Sequence, residues 1–176
     1  MKKIIAFAGS NSKQSINKQL ATYAASLLEE VSTKILDLNN YELPLYGIDL
    51  ENKSGIPQNA HQFLNEIKSV DGIIISLAEH NGAYTTAFKN IFDWMSRIDG
   101  KLWSEKPMLL MATSPGGRGG QSVLEIAEGR FPRMGANIIT IFSLPSFNKN
   151  FKDGKITDPE LKSSLKEAVD TFQSEI

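Results

Sequence analysis

Three short segments of this chain hold residue types suited to binding an anion and a planar ring. The first, Gly9-Ser10-Asn11-Ser12-Lys13-Gln14-Ser15-Ile16-Asn17, combines hydroxyls, side-chain amides and a lysine just ahead of a helical pattern. Hydroxyl donors, backbone N–H groups and the positive end of a helix dipole together favour a phosphate. It is not a Walker loop, because Gln14 stands where the second glycine belongs and no Gly-Lys-Ser/Thr follows, and it is not Gly-x-Gly-x-x-Gly. Read without the other two, it is equally a serine-rich turn that caps a helix. The second segment, Ala78-Glu79-His80-Asn81-Gly82-Ala83-Tyr84, has the Asn-Gly pair of a tight turn. His80 lacks a carboxylate or nucleophile partner in sequence, so it reads as a packing or hydrogen-bonding residue. The third, Ser114-Pro115-Gly116-Gly117-Arg118-Gly119-Gly120, has four glycines in five residues, which lets a planar ligand approach backbone N–H groups closely.

These loops need a scaffold, and the rest of the chain supplies one. Five apolar runs, Ile4 to Ala8, Lys34 to Leu38, Gly72 to Ala78, Met108 to Ala112 and Ile138 to Phe142, are bounded by turn residues and do not alternate with polar ones. Each predicts a strand buried on both faces, as in a parallel sheet. Helical spacing links Leu20, Ala24, Leu27, Leu28 and Val31, then Phe88, Ile91, Met95 and Ile98, then Leu161, Leu165, Ala168 and Phe172. Weaker patterns over 57–70 and 120–134 fill the remaining crossovers. Alternating strands and helices imply an α/β fold, a three-layer doubly wound five-stranded parallel sheet, commonly of order 2-1-3-4-5. In that order the ligand crevice lies at the carboxyl ends of strands 1, 3 and 4, where the three loops sit. The segment Asn39 to Gly55 reads as irregular, a lid or an interface loop.

Composition narrows the class. The chain has 176 residues, a formal net charge of -1 and no cysteine. One domain spanning 1–176 suits that length. The absence of Cys excludes a disulfide scaffold, a Cys-ligated metal and a cysteine nucleophile, and no His cluster suggests another metal site. Near-neutral charge argues against nucleic acid as a partner, and no apolar run approaches the ~20 residues of a membrane span. The start, Met1-Lys2-Lys3-Ile4-Ile5, lacks a signal-peptide pattern, so the expected location is cytoplasmic.

Taken together, the loops resemble the NAD(P)H-dependent FMN reductase family, a flavodoxin-like group. Its opening motif, Gly-Ser-x-Arg-x-x-Ser-x-Asn, is matched by Gly9, Ser10, Ser15 and Asn17, with Ser12 in the place of the arginine and Lys13 beside it. Its second motif, Pro-Glu-Tyr-Asn-Gly-Ser-x-Pro with Leu-Lys-Asn-x-Ile-Asp-Trp, appears as Ala78 to Tyr84 and Phe88-Lys89-Asn90-Ile91-Phe92-Asp93-Trp94. The Gly-Gly-x-Gly-Gly loop is intact at Gly116 to Gly120. The resemblance implies an enzyme in which FMN is reduced by a hydride from NAD(P)H and then reduces a small-molecule acceptor, in ping-pong fashion. That acceptor is a flavin, quinone, azo compound or metal ion. The FMN phosphate would sit on Ser10, Ser12, Ser15, Ile16 and Asn17. The ring would lie between Ala78, Glu79, His80, Asn81 and Gly82 on one side and Ser114, Pro115, Gly116 and Gly117 on the other, with Asn81 the main side-chain contact. No side chain is then needed as a catalytic group. The family also implies a homodimer or homotetramer, with the Asn39–Gly55 segment and the helix carrying Phe92 and Trp94 as the candidate interface.

A flavodoxin-type electron carrier, lacking its own NAD(P)H site, is the alternative; such carriers are strongly acidic with a Thr-rich phosphate loop, unlike this chain. An esterase built on Ser10 would need a histidine near the C-terminus, and the last one here is His80.

Overall fold

The computed structural model describes all 176 residues. The chain runs β1 (Lys2–Gly9), α1 (Ile16–Ser26), β2 (Val31–Ile35), α2 (Ile48–Ser54), α3 (Gln58–Lys68), β3 (Gly72–Leu77), β4 (Glu79–His80), β5 (Ala83–Tyr84), α4 (Thr86–Ile98), β6 (Pro107–Thr113), α5 (Gln121–Arg130), β7 (Asn137–Leu144), α6 (Phe147–Asn150), β8 (Phe151–Lys152), β9 (Lys155–Ile156) and α7 (Pro159–Ser174). Five strands form one parallel sheet in the order β2-β1-β3-β6-β7, which is the expected 2-1-3-4-5 once the two small hairpins are left out of the count.

Side-chain alternation along the central strands explains the layers. Ile5 and Phe7 face the side covered by α3, α4 and α5, where Phe63, Ile67, Phe88, Ile91 and Val123 complete the core. Ile4 and Ala6 face the side covered by α1 and α7, against Leu20, Ala24, Leu165, Val169 and Phe172. Both faces are covered, so neither alternates with polar residues.

Three expectations change. The second strand is Val31–Ile35, not Lys34 to Leu38. It is an edge strand whose side chains after Val31 are exposed, so its sequence lacks an apolar run; the buried Leu36 and Leu38 lie just past its end. The first helix stops at Ser26, with Leu27 and Leu28 closing its last turn and Glu30 in a left-handed conformation, which leaves Val31 to open β2. The segment Asn39 to Gly55 is not irregular throughout: it contains α2 and is strapped to α4. Tyr46 N–H donates to Asn90 Oδ1 (2.8 Å), Asn90 Nδ2 donates to the Pro44 carbonyl (3.0 Å), and Trp94 Nε1 donates to the same carbonyl (2.8 Å). Phe92 and Trp94 are buried within the chain and so leave the list of interface candidates.

Candidate functional site

The carboxyl ends of β1, β3 and β6 lie side by side, and the loops that follow them enclose a cavity of about 350 Å³. Its lining joins Ser10, Ser12, Ser15, Ile16 and Asn17 from the first loop to Ala78, Glu79 and His80 from the second and Ser114 and Pro115 from the third. Ten of the residues expected from the sequence are therefore brought together. Asn81 and Gly82 are not; they form the tip of the β4–β5 hairpin, where both have positive φ (51° and 74°), the signature of a type I′ turn. Gly116 and Gly117 sit on the exposed part of the third loop, outside the cavity lining.

The first loop is organised as a cradle of donors. Ser10 Oγ accepts from the Ser12 N–H (3.1 Å), Ser12 Oγ from the Gln14 N–H (3.3 Å) and Ser15 Oγ from the Lys18 N–H (3.1 Å). Each oxygen is thus engaged as an acceptor by the backbone, and each hydroxyl proton is left to donate elsewhere. Ser15 is the N-cap of α1, and the backbone N–H groups of Lys13, Ile16 and Asn17 have no partner within the chain. Lys18, in the first turn of α1, is paired with Asp37, whose carboxyl that hydrogen bond holds below its ordinary value of 3.8.

Asn17 has a different place from the serines. Its side chain is 2% exposed. Oδ1 accepts from Ser76 Oγ (2.7 Å) and the Thr113 N–H (3.0 Å), while Nδ2 donates to the Thr113 carbonyl (3.1 Å). The amide therefore joins the start of α1 to β3 and to the last residue of β6.

In the third loop the carbonyls at Ser114 and Gly116 are partnered, accepting from the N–H groups of Phe147 (3.0 Å) and Ser146 (2.9 Å). The N–H groups of Ser114, Gly116 and Gly117 have no partner within the chain. Farther along, Gly119 packs so closely that a Cβ would lie 2.3 Å from Ser143 Oγ, and its φ of 59° also favours glycine. Glu79, from the second loop, accepts from the Val123 N–H (3.0 Å) in the first turn of α5. Thr85, the N-cap of α4, donates to the Gly9 carbonyl (2.8 Å) and accepts from the Phe88 N–H (3.1 Å).

His80 is exposed and has no hydrogen-bond partner, so it is not the packing residue its isolation in sequence suggested. It lines both the cavity described and a neighbouring one formed with Asn11, Leu43, Thr85 and Asn90. Arg118 donates to Ser122 Oγ (3.1 Å) on the surface. Gln14 and Thr113 also line the cavity and were not expected there. Thr113 ends an apolar strand and carries no motif of its own, so only the pairing of β3 with β6 locates it.

Comparison with known proteins adds four findings. Residues 2–149 match the family described as NADPH-dependent FMN reductase. The chain is 37% identical over 119 residues to a 2-hydroxy-1,4-benzoquinone reductase of a Burkholderia species, covering 66% of this chain and 63% of that protein, a little under two thirds of its length. It is 27% identical over 180 aligned positions to an NADPH:quinone oxidoreductase of Arabidopsis thaliana, covering 98% of this chain and 90% of that one. Among solved structures, the chain is similar in fold to the flavoenzyme NAD(P)H:(acceptor) oxidoreductase FerB of Paracoccus denitrificans, with a TM-score of 0.75, 24% identity and 99% of each chain covered.

Proposed function

The chain belongs to the NADPH-dependent FMN reductase family, and from that premise we propose that it is an NAD(P)H-dependent FMN oxidoreductase acting on small quinones. The observation that carries the reading is the donor cradle. Three serine hydroxyls whose oxygens are already engaged, and the two unpartnered N–H groups of Ile16 and Asn17 at the start of α1, lie together on the cavity, where a phosphomonoester needs donors. The residues present therefore fit FMN, despite Ser12 in the place of the family's arginine.

Bound FMN supplies the two-electron redox chemistry, with NAD(P)H as reductant and the quinone as oxidant. The chain's own residues bind and orient. Ser10, Ser12 and Ser15 donate their hydroxyl protons to the phosphate, joined by the Ile16 and Asn17 N–H groups. Ala78, Glu79 and His80 bound one side of the ring slot, with Asn81 and Gly82 closing its hairpin. Ser114 and Pro115 bound the other, with Gly116 and Gly117 on the exposed rim beyond them, and the free N–H groups of this loop favour negative charge on the polar edge of the ring. The quinone preference is supported by the names of the two relatives.

The same reading takes residues 1–176 as one domain, working in the cytoplasm as a homodimer or homotetramer. Exposed Leu45 and Ile48 support a contact between copies, and no helix is long and apolar enough to cross a membrane.

The test is the visible spectrum of purified protein with FMN added, then anaerobic NADPH or NADH, then a benzoquinone. Bleaching by a nucleotide alone and return of colour with the quinone are expected. Flavin that stays oxidised until a separate reductase is added would make the protein an electron carrier. Failure to take up FMN would overturn the reading.

A further inference from the structure

The third loop carries the ring-edge donors, and on the β7 side its carbonyls are held by the Ser143 hydroxyl at Gly119 and by the Ser146 and Phe147 N–H groups at Gly116 and Ser114. Two side chains from the other loops hold its ends. At the root, Asn17 grips Thr113, the residue just before Ser114, through both the N–H and the carbonyl. That pair of bonds fixes the flip of the amide, since the Thr113 N–H can only donate and its carbonyl only accept, and Ser76 Oγ adds a third bond to Oδ1. At the exit, Glu79 accepts from Val123 in the first turn of α5, where a carboxylate is also favoured by the helix dipole. The loop thus spans two anchors, one belonging to the phosphate cradle and the other to the second loop.

We propose that Asn17 and Glu79 are positioning residues that clamp the glycine loop and so set where its free N–H groups stand. This rests on the flavin reading for its functional meaning. It separates Asn17 from Ser10, Ser12 and Ser15. Its side chain has both lone-pair positions of Oδ1 and one N–H engaged inside the chain, so its role is the brace, and the serines and backbone carry the phosphate. It likewise assigns the Glu79 carboxylate to α5, leaving only its backbone to the ring.

The experiment compares Glu79→Ala, Glu79→Gln, Asn17→Ala and Ser12→Ala. Amide hydrogen exchange over 113–123 is measured without flavin, and dissociation constants are measured for both FMN and riboflavin. Glu79→Gln keeps an acceptor for Val123, so its exchange pattern should match the parent protein, while Glu79→Ala exchanges faster at Val123 and through the loop. Glu79→Ala should weaken FMN and riboflavin by a common factor of about tenfold, the scale of one lost hydrogen bond to a charged group, and Asn17→Ala, which loses three bonds, should weaken both by a common factor at least as large. The ratio of the FMN to the riboflavin dissociation constant then stays as in the parent protein, whereas Ser12→Ala raises it. A loss confined to FMN in Asn17→Ala would make Asn17 a phosphate ligand and overturn the brace. Unchanged exchange in Glu79→Ala, or equal effects of Glu79→Ala and Glu79→Gln, would overturn the clamp. If Asn17→Ala does not fold, the Glu79 pair still decides. Should no protein bind flavin, the functional reading fails, while the exchange data judge the clamp alone.

Discussion

At the scale of single residues, Gly117 separates what the fold needs from what a ligand needs. A Cβ built there meets nothing within 4 Å, and the backbone has no positive φ. Gly117→Asp should therefore melt within about 0.5 kcal/mol of the parent protein, as surface substitutions do. It should nonetheless weaken FMN binding at least about tenfold, or lower the flavin potential, because a carboxylate would face the reduced ring's negative edge. Calorimetry, flavin titration and a potentiometric titration check the three quantities; an unchanged affinity and potential would remove the loop from the site. Asn17 shows the limit of reading residues by type. Its motif position was legible, but a side-chain amide placed beside three serines looks like one more ligand. Only the parallel pairing of β3 and β6 brings Ser76 and Thr113 to it and shows that it is engaged within the chain.

At the scale of elements, the central strands were legible because both their faces are covered and their sequences are apolar without alternation. The edge strand β7 was legible too, from its Ile138 to Phe142 run, whereas the polar edge β2 and the segment beyond it were not. The strap from 43 to 46 looked irregular because its order comes from α4, through Asn90 and Trp94, rather than from any periodicity of its own. Asn90→Ala removes the acceptor for the Tyr46 N–H and the donor to Pro44, and should lower unfolding free energy by ~1–3 kcal/mol. Chemical denaturation measures that loss. Proteolysis within 43–55 ahead of global unfolding would accompany it. The Asn81-Gly82 turn, by contrast, was readable from two residues, since a type I′ turn asks both to take positive φ and this pair does so at low cost.

At the scale of the whole molecule, the alternation of elements announced a doubly wound sheet, and the crevice rule then pointed to the loops that enclose the cavity. The response to pH is also a property of the assembled fold. Burial pushes the phenols of Tyr41 and Tyr84 up to about 12, with Glu66 adding to the shift at Tyr41. The unfolded chain would ionise these groups near 10, so it releases protons before the native state does. Stability from this source is complete below pH ~10 and is lost as pH rises towards 12. Tyr46 is shifted in the same direction, by burial and its hydrogen bond to Glu51, so ultraviolet titration should show three of the four tyrosines ionising late and falling into line once the protein is denatured. On the acid side the signs reverse. Lys18 beside Asp37 and Lys68 beside Asp99 hold those carboxyls below 3.8, so their contribution is present above that pH and lost as it falls below.

The strand hardest to find in the sequence has a consequence for how the molecules behave in a crowd. An open sheet ends in unpaired backbone groups, and a flat apolar edge would recruit strands from other chains and seed fibres. Here the flank at β2 is five residues long, and its outer positions are Ser32, Thr33 and Lys34. Lys34 is drawn across to Glu66 at 2.6 Å. An incoming strand would have to break that pair, and the one large apolar side chain it would cover in return is Ile35. The polar character that hides β2 from a search for buried strands is also what keeps this edge from polymerising.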